Sequence, residues 1–367
     1  MESEQIKSKN LTIELFRFFF AIIIVCYHYF SLLLRNTPST PYFYHGYMAD
    51  EFFFIVSGYF IANSIIKKSN QESFGWGGEL CFKRIKSLAF PYYASWILCF
   101  LSLHFSLYKK GKPLLIIDHL KNSIYELLFV DMAGFKSGYY SNGVTWYISA
   151  LLFCILLFYP CIKKYREKFL LNIAFPLALF SYGILNLNYE ELFAPHTILF
   201  PFLYKGMLRA IAGINLGFFI YGICYYTTIK EIVKKNGVLF QITQILLILY
   251  IFNLMVKPNS PDLFIVVCLF FLLLITFSVE TKFENFLKLR CASLAKILGT
   301  ISVYIFLCQE ILYCNIDFLR LIKNWNTINL IKLCIWVLSV FIISLELYFI
   351  NVLFRYLVNI IKNRKQI

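Results

Sequence analysis

The residues with the clearest capacity for chemistry lie near the start of the sequence, in ELFRFFFAIIIVCYH at positions 14–28. Glu14, Arg17 and His28 place an acid, a guanidinium and an imidazole inside an apolar run from Leu11 to Leu34. On a helix, Arg17 and His28 lie about 20° apart around the axis and about 16 Å apart along it. Glu14 precedes Arg17 by three residues and can form an ion pair on the same face. The three side chains therefore form one polar stripe.

We expect this stripe to face a buried polar cavity, because a charged side chain at a helix centre in lipid costs about 2.5–3.5 kcal/mol. Each residue taken alone has a structural interpretation as well. An arginine near a helix end often reaches back to the membrane surface, and a histidine in the membrane can be a hydrogen-bonded packing residue. Their position on one common face favours a functional site.

A second stretch of interest runs from Asp50 to Phe60, where two carboxylates open an apolar segment that contains Ser57-Gly58. Serine and glycine in a membrane segment allow either a break whose freed amides hold a ligand or a close helix crossing. The pattern predicts one broken or re-entrant segment near Ser57-Gly58, with the close crossing as the alternative.

A basic cluster follows at Lys83, Arg84 and Lys86. Three cations at a membrane rim suit an anionic nucleotide or phosphate. The alternative is that they anchor the topology and contact anionic lipid.

The remaining polar residues give weaker signals. Residues 137–147 combine tyrosines with Ser and Asn, which suits either a sugar-binding mouth or an interfacial aromatic belt. Glu310 is a further acid in an apolar segment. The other histidines have no metal-ligand spacing and are predicted to be surface or interfacial residues; they are His45, His104, His119 and His196.

Composition sets the class of the protein. The 367 residues are 60% hydrophobic and only 15% charged, with 19% aromatic residues, whereas soluble domains have about 25% charged residues. The sequence therefore predicts a polytopic membrane protein. The net charge of +15 is distributed between apolar segments, which argues against a nucleic-acid partner. The 11 cysteines form no CxxC pair and indicate packing residues rather than a disulfide or zinc framework.

Hydropathy predicts an all-α fold of about ten transmembrane helices in a single domain over residues 1–367, with no appended soluble domain. The predicted spans are 11–34, 48–66, 86–107, 144–162, 169–187, 207–227, 238–256, 262–279, 294–314 and 328–358. Connections on the amino-terminal side carry 22 Lys and Arg residues, and those on the opposite side carry 12. This bias predicts that both termini are cytoplasmic.

These motifs, in this order, resemble the membrane acyltransferase-3 family, whose members modify surface carbohydrates and related acceptors. The resemblance covers nearly the whole chain. It rests on Glu14-x-x-Arg17 with His28, Phe53-Phe54-x-x-Ser57-Gly58, Phe82-Lys83-Arg84 with Pro91-Tyr92-Tyr93, Trp146-Tyr147, and the segment from Gly299 to Leu307.

The chain also departs from the family pattern at three positions. A second arginine after the basic pair is Ser87 here, which weakens or shifts that phosphate contact. The late motif usually ends in His but has Gln309, which leaves His28 as the one well-placed base. A glutamate after the tryptophan element is replaced by Leu151, which fits a sub-group of the family.

The resemblance implies a membrane O-acyltransferase of the inner (plasma) membrane. It implies acetyl-CoA as the donor substrate, no metal, and a glycan or lipid-linked sugar of capsule, exopolysaccharide or O-antigen type as the acceptor. His28 would be the catalytic base, with Arg17 and Glu14 beside it. The donor-binding residues would be Lys83, Arg84, Lys86, Phe53, Phe54, Ser57, Gly58 and Trp146.

Two other classes of function stay open at this point. A transporter or flippase for a lipid-linked sugar would also have about ten spans and intramembrane charges, but it usually shows interrupted helices in matching halves. A structural subunit of a glycan export complex would leave the polar stripe of the first span without a purpose. Stabilisation of the protein by coenzyme A would separate both from the acyltransferase.

Overall fold

A computed structural model describes residues 10–33, 43–69, 76–111, 116–135, 141–201, 203–278, 281–325 and 329–364 of the chain. The described part is almost entirely helical. Its helices are α1 (Leu11–Leu33), α2 (Ala49–Ser69), α3 (Gly77–Lys109), α4 (Ile116–Asn122), α5 (Ile124–Leu127), α6 (Trp146–Lys168), α7 (Ala174–Asn188), α8 (Lys205–Tyr226), α9 (Ile229–Lys235), α10 (Gly237–Val256), α11 (Asp262–Ser278), α12 (Lys282–Arg290), α13 (Ala292–Cys314), α14 (Ile316–Asn324) and α15 (Asn329–Arg364). A two-stranded antiparallel hairpin, β1 (Ile198–Phe200) and β2 (Leu203–Tyr204), precedes α8.

Eight helical runs in the described residues are long and apolar enough to cross a membrane. They rise to nine if the bent pair α11 and α12 counts as one span, which is slightly fewer than the ten predicted. The difference lies mainly in the run Gly143–Asn188, whose 46 residues contain two predicted spans. Within it, Arg166 leaves the helical conformation at φ 41°, and a π-helical turn, Phe169–Ile173, follows. The all-α polytopic class is confirmed.

The structure corrects the predicted break at Ser57-Gly58, because α2 is one continuous helix through both residues. Gly58 instead allows a close approach to α8. A Cβ atom placed on Gly58 would overlap the backbone of Ile214, and one placed on Gly217 of α8 would overlap the backbone of Ile55. The two helices thus cross with backbone against backbone, which is the small-residue crossing. The described helix α2 therefore does not show the interruption that a transporter would usually have.

The amino-terminal end of α1 is held by a distant carboxylate. Glu284 of α12 accepts hydrogen bonds from the amides of Leu11 and Thr12 at 2.9 and 2.8 Å and from the Thr12 hydroxyl at 2.7 Å. The first amides of a helix have no partner within the helix, and a negative charge there is favourable. Farther along, α1 packs against α13, and this packing fixes the helix that carries the polar stripe.

A buried ionic cluster joins α2 to α8. The Arg209 guanidinium donates to Glu51 at 2.7 Å and lies 3.8 Å from Asp50, while the Tyr182 hydroxyl donates to Glu51 at 2.6 Å. The one positive charge of Arg209 thus faces both carboxylates that open α2 and is closest to Glu51. Arg209 follows Glu51 by 158 residues in the sequence, so their pairing depends on the tertiary fold.

His45 is buried, and the prediction that it is a surface or interfacial residue is wrong. Its Nδ1 lies 2.7 Å from Asp262, which also accepts from the Tyr47 hydroxyl at 2.9 Å and from the Leu192 amide at 2.7 Å. Asp262 therefore ties three connections together at the end of the molecule where α1 ends and α2 begins. Burial lowers the pKa of His45, but the hydrogen bond and charge of Asp262 outweigh burial and raise the pKa above its ordinary value.

Candidate active site

The polar stripe of α1 begins with the predicted ion pair. Arg17 Nη1 lies 3.3 Å from Glu14 Oε2, one turn back on the same face. Glu14 is buried against Gly299 of α13, where a Cβ atom would overlap its carboxylate. Because Gly299 leaves room for the acid, Glu14 is fixed and can hold the guanidinium of Arg17 in one orientation.

Arg17 opens onto a cavity of about 140 Å³ among α1, α2, α3, α6 and α13. At about 30 Å³ per water, the cavity has room for a small group such as an acetyl thioester but not for a whole coenzyme. Its lining residues are Arg17, Phe53, Val56, Ser57, Phe60, Arg84, Ser87, Leu88, Tyr147, Ile148, Leu151, Ser302, Val303, Phe306 and Leu307. Two guanidinium groups and three serines therefore share it with an apolar and aromatic wall.

Four of the predicted site residues meet at this cavity: Arg17, Phe53, Ser57 and Arg84. They come from three different helices, so their meeting supports the motif assignment. The Ser57 hydroxyl lies 3.1 Å from the hydroxyl of Tyr147, which fixes both groups on one wall of the cavity.

Three other residues that were predicted to bind the donor do not line this cavity. Phe54 is fully buried and stacks on Tyr147 with ring centroids 4.4 Å apart. Gly58 faces α8, as described above. Trp146 packs against Phe54 at 5.6 Å and lies under the Arg209 guanidinium at 5.5 Å. They support the wall of the cavity from behind rather than lining it.

Lys83 and Lys86 are exposed on α3 and do not line the cavity, although their neighbour Arg84 does. Ser87, which stands where the family often has an arginine, lines the cavity one turn beyond Arg84. The basic cluster is therefore divided: one guanidinium points inward, and two ammonium groups remain at the exposed rim.

His28 lies beside an acidic residue that the sequence alone did not identify as its partner. Its Nδ1 lies 4.0 Å from Glu310 Oε1 of α13. The His28 side chain is 26% exposed and that of Glu310 is 13% exposed, so the imidazole is not packed solidly. One face of α13 carries Ser302, Phe306 and Glu310 at four-residue intervals, and the first two of these residues line the cavity. The cavity and the His28–Glu310 pair thus lie along the same faces of α1 and α13.

The loop before α6 is held rigidly beside Glu310. Glu126 of α5 accepts from the amides of Ser141 and Asn142 at 3.0 and 2.8 Å and from the Thr145 hydroxyl at 3.2 Å. Burial raises the pKa of the Glu126 carboxyl, and these hydrogen bonds oppose that effect. Gly143 follows directly and lies next to Glu310. The position of this loop therefore depends on one buried carboxylate.

Asn142 is oriented by this network and leaves one group unpaired. Its Nδ2 donates to the Leu307 carbonyl at 3.0 Å and to the Ser95 hydroxyl at 3.1 Å. Ser95 itself donates to the Tyr92 carbonyl at 2.9 Å, so its oxygen accepts from Asn142. The amide orientation is therefore fixed, and the buried Asn142 Oδ1 has no hydrogen-bond partner among the described atoms. Sequence reasoning missed Glu126 and Asn142, whose only signal was an Asn-Gly pair before a tryptophan.

His119 is also buried, which corrects its prediction as a surface or interfacial residue. Its Nδ1 lies 2.8 Å from His104 Nε2, and its Nε2 lies 3.1 Å from the Ser141 hydroxyl. Burial lowers the pKa of His119, and the neighbouring His104 lowers it further. This chain of contacts anchors α4 to the loop before α6.

No group of three or more His, Cys, Asp or Glu side chains in the described ranges is arranged to hold a metal ion. An imidazole, a carboxyl group and two guanidinium groups are side chains that general base and electrostatic catalysis can use.

Comparison with known proteins identifies the family of the chain. The family model described as "Acyltransferase domain", that of the acyltransferase-3 family, matches residues 10–349. Curated proteins and solved structures gave no match. Because the family model covers nearly the whole of a chain with several membrane-crossing helices, the chain belongs to the acyltransferase-3 family and is a multi-pass membrane acyltransferase.

Proposed function

We propose that this acyltransferase moves an acetyl group from acetyl-CoA to a hydroxyl of a cell-surface or lipid-linked glycan. One observation carries the proposal. The Arg17 cavity and the His28–Glu310 pair lie along one face of α1 and one face of α13. That arrangement offers a place for an anionic donor and a base for an acceptor hydroxyl on a single path.

The donor end of the path is positively charged. Arg17 and Arg84 line the cavity, and the exposed Lys83 and Lys86 lie on the same end of α3 as Arg84. Exposed cations of one sign attract an anionic substrate and raise its association rate. The two lysines would draw in the donor, and the guanidinium groups would hold its reactive end, since a planar fork can donate two parallel hydrogen bonds.

The acyl transfer would take place at His28. The acceptor oxygen attacks the thioester carbonyl carbon while His28 takes the hydroxyl proton. The C–S bond then breaks, and the same imidazole returns the proton to the sulfur of coenzyme A. General base catalysis of this kind contributes about 10²–10⁴-fold, and Glu310 stabilises the imidazolium that forms. An acyl-histidine intermediate, in which the imidazole itself attacks the thioester, is the second route to the same products.

The orientation of the protein in the membrane is part of the same proposal. With 22 Lys and Arg residues in connections on the amino-terminal side and 12 on the other, we propose that the Arg84 end of the path faces the cytoplasm of an inner (plasma) membrane. Acyl-CoA is a cytoplasmic metabolite, so the donor would enter at that end. The acceptor would meet it near His28, in the opposite half of the membrane.

The test is glycan acetylation in cells that carry His28→Ala at membrane levels equal to wild type. We expect acetylation to fall by about 10²-fold or more. His196→Ala is the matched control, because His196 is a partly exposed histidine that does not line the cavity, and we expect it to leave acetylation unchanged. Acetylation that persists in His28→Ala would refute the proposed base.

Binding of coenzyme A to the purified protein tests the donor separately. We expect coenzyme A to raise the melting temperature of wild type and of His28→Ala alike, because the donor contacts lie at the arginines. A wild-type protein that coenzyme A does not stabilise would contradict the proposed donor.

A further inference from the structure

Three aromatic rings from three helices meet in the wall of the Arg17 cavity. They belong to Phe53 of α2, Tyr147 of α6 and Phe306 of α13. The ring centroids of Phe53 lie 6.4 Å from Tyr147 and 6.1 Å from Phe306, and those of Tyr147 and Phe306 lie 5.5 Å apart. Aromatic rings at about 4.5–7 Å are in contact, so each ring touches the other two. We call these three residues the ring triangle.

The ring triangle lies between the two ends of the polar stripe. Two contacts set the register of α1 against α13: Glu14 lies against Gly299, and His28 Nδ1 lies 4.0 Å from Glu310 Oε1. The residue numbers rise together in both contacts, so the two helices run parallel. Phe306 precedes Glu310 by four residues, which is about 6 Å along the helix. The ring triangle is therefore reached from the cavity before His28 is.

The side of α1 is also apolar at this level. Phe53 packs against an apolar cluster that includes Ala21 and Val25. Both residues are buried, and both stand between Arg17 and His28 in the sequence. A group that moves from the cavity towards His28 therefore meets the ring triangle on its way.

One ring of the triangle is fixed, and the other two are held by apolar contacts. The Tyr147 hydroxyl lies 3.1 Å from that of Ser57, and the Tyr147 ring stacks on the buried ring of Phe54 at 4.4 Å. The side chains of Phe53 and Phe306 have no polar atom through which they could be tethered. Rotation of these two rings to another staggered position is the smallest movement that widens the passage.

We infer that the ring triangle is a size filter, which lets only a short acyl group pass from the donor cavity to His28. The inference rests on the proposed function, in which a coenzyme A thioester enters at the Arg84 end. The acyl group is the leading end of that donor, so it meets the rings first. An acetyl group needs a narrow opening, whereas each further methylene group requires a larger displacement of Phe53 and Phe306.

The ring triangle also separates the neutral part of the donor from its charged part. Arg17 and Arg84 line the cavity with the three rings, and the rings themselves carry no charge. A phosphate group that moved between the rings would lose its water without gaining a partner, which is costly. An acyl thioester is uncharged and does not meet this barrier. The phosphates of the donor therefore stay on the cavity side while the acyl group advances.

The experiment measures acyl transfer to the native acceptor in membranes made permeable to coenzyme A, with acetyl-CoA and butyryl-CoA as the two donors. We expect wild type to use acetyl-CoA faster by about tenfold or more, because a site without room for one methylene group discriminates by about 10–200-fold. Phe53→Leu and Phe306→Leu remove a ring but keep an apolar side chain. Each should raise the butyryl-to-acetyl ratio by about tenfold.

A larger side chain tests the filter in the opposite direction. Phe306→Trp should lower the rate with acetyl-CoA, because the passage becomes narrower, and should leave the binding of coenzyme A to the purified protein unchanged. A variant that only unfolds the protein would lose both.

Phe175→Leu is the matched control. Phe175 of α7 stacks on Phe219 of α8 with centroids 4.6 Å apart, and it does not line the cavity. The control therefore removes a ring contact at another place and should keep the donor ratio of wild type. Both donors are measured on the same protein, so a variant that folds less well changes both rates but not their ratio.

The outcomes separate this inference from the proposed function. A wild type that transfers neither acyl group would contradict the donor and, with it, the filter. A wild type that transfers acetyl, with a donor ratio that Phe53→Leu and Phe306→Leu leave unchanged, would overturn the filter and keep the donor. An equal rise of the ratio in Phe175→Leu would also overturn the filter, because the loss of any ring would then relax the selection.

Discussion

His28 and Glu310 stand on different helices, and their side chains meet at 4.0 Å. A carboxylate beside an imidazole stabilises its protonated form and holds the ring in one orientation. The base of the proposed reaction therefore depends on a partner that is 282 residues away in the chain.

We expect Glu310→Gln to lower the rate of acyl transfer by about tenfold or more, because the amide keeps the shape of the acid but cannot stabilise an imidazolium. The pH at which the rate reaches half of its maximum should move, since the base has lost a neighbouring charge. Rates measured from pH 5 to 9 on purified protein check both effects.

Glu346→Gln is the control for this change, because Glu346 is an exposed acid on α15 that does not line the cavity. An equal loss of activity in both variants would indicate that Glu310 has only a structural role. The same conclusion would follow if Glu310→Gln lowered the rate but left its pH dependence unchanged.

At the scale of elements, α2 and α8 cross at Gly58 and Gly217, so no side chain separates the two backbones there. We expect Gly58→Ala to destabilise the protein by about 1–3 kcal/mol, the usual cost of overpacking, because the new methyl group meets the Ile214 backbone, which cannot move aside. Thermal unfolding in detergent measures the loss.

Gly183→Ala is the matched control, since Gly183 is a helical glycine on α7 with no atom within 4 Å of an added Cβ. It should be neutral or raise stability by about 0.4–1 kcal/mol. Equal melting temperatures for Gly58→Ala and wild type would contradict the backbone crossing.

The His45–Asp262 contact, which holds the connections at the end of α1, depends on pH. The pKa of His45 is raised in the folded state, because Asp262 outweighs burial, and Tyr47, the Pro258 carbonyl and Glu191 are the other groups that face it. A histidine with a raised folded pKa contributes stability in full below its unfolded pKa of about 6.5 and loses that contribution as the pH rises through the folded value. The contribution of the His45–Asp262 contact to stability should therefore decrease as the pH rises.

We expect the melting temperature of wild type to fall relative to that of His45→Gln as the pH is raised from 6 to 9. Glutamine offers similar hydrogen bonds without a titrating charge. A constant difference between the two proteins over this range would show that the His45–Asp262 contact does not depend on protonation.

At the scale of the whole molecule, the direction of the helices and the distribution of basic residues together predict which face is cytoplasmic. Lys235 and Lys257 stand at opposite ends of α10, and both are exposed. In intact cells, a membrane-impermeant maleimide should label Lys257→Cys and should not label Lys235→Cys.

Permeabilised cells provide the control, because both cysteines should then react. Labelling of Lys235→Cys in intact cells would reverse the orientation and would place the Arg84 end of the path outside the cytoplasm. That result would also contradict the proposed route of entry for the donor.

The sequence by itself determined the class of the protein, the helix that carries Glu14, Arg17 and His28, and the family. Local physics is sufficient for the class and for the helix, since hydropathy and the helical period depend on neighbouring residues alone. For the same reason, the Glu14–Arg17 contact could be predicted from a spacing of three. The family follows from the resemblance of the ordered motifs and from the family model.

The tertiary structure decided which residues meet across the chain. It paired His28 with Glu310, neutralised Glu51 with Arg209, moved Phe54 and Trp146 behind the cavity wall, and made Gly58 a crossing point instead of a break. Glycine and serine have the same local signature in a break and in a crossing, and a buried acid does not indicate its partner. Only the packing of distant helices distinguishes these cases, because burial and ion pairing depend on what lies opposite a residue rather than on what precedes it.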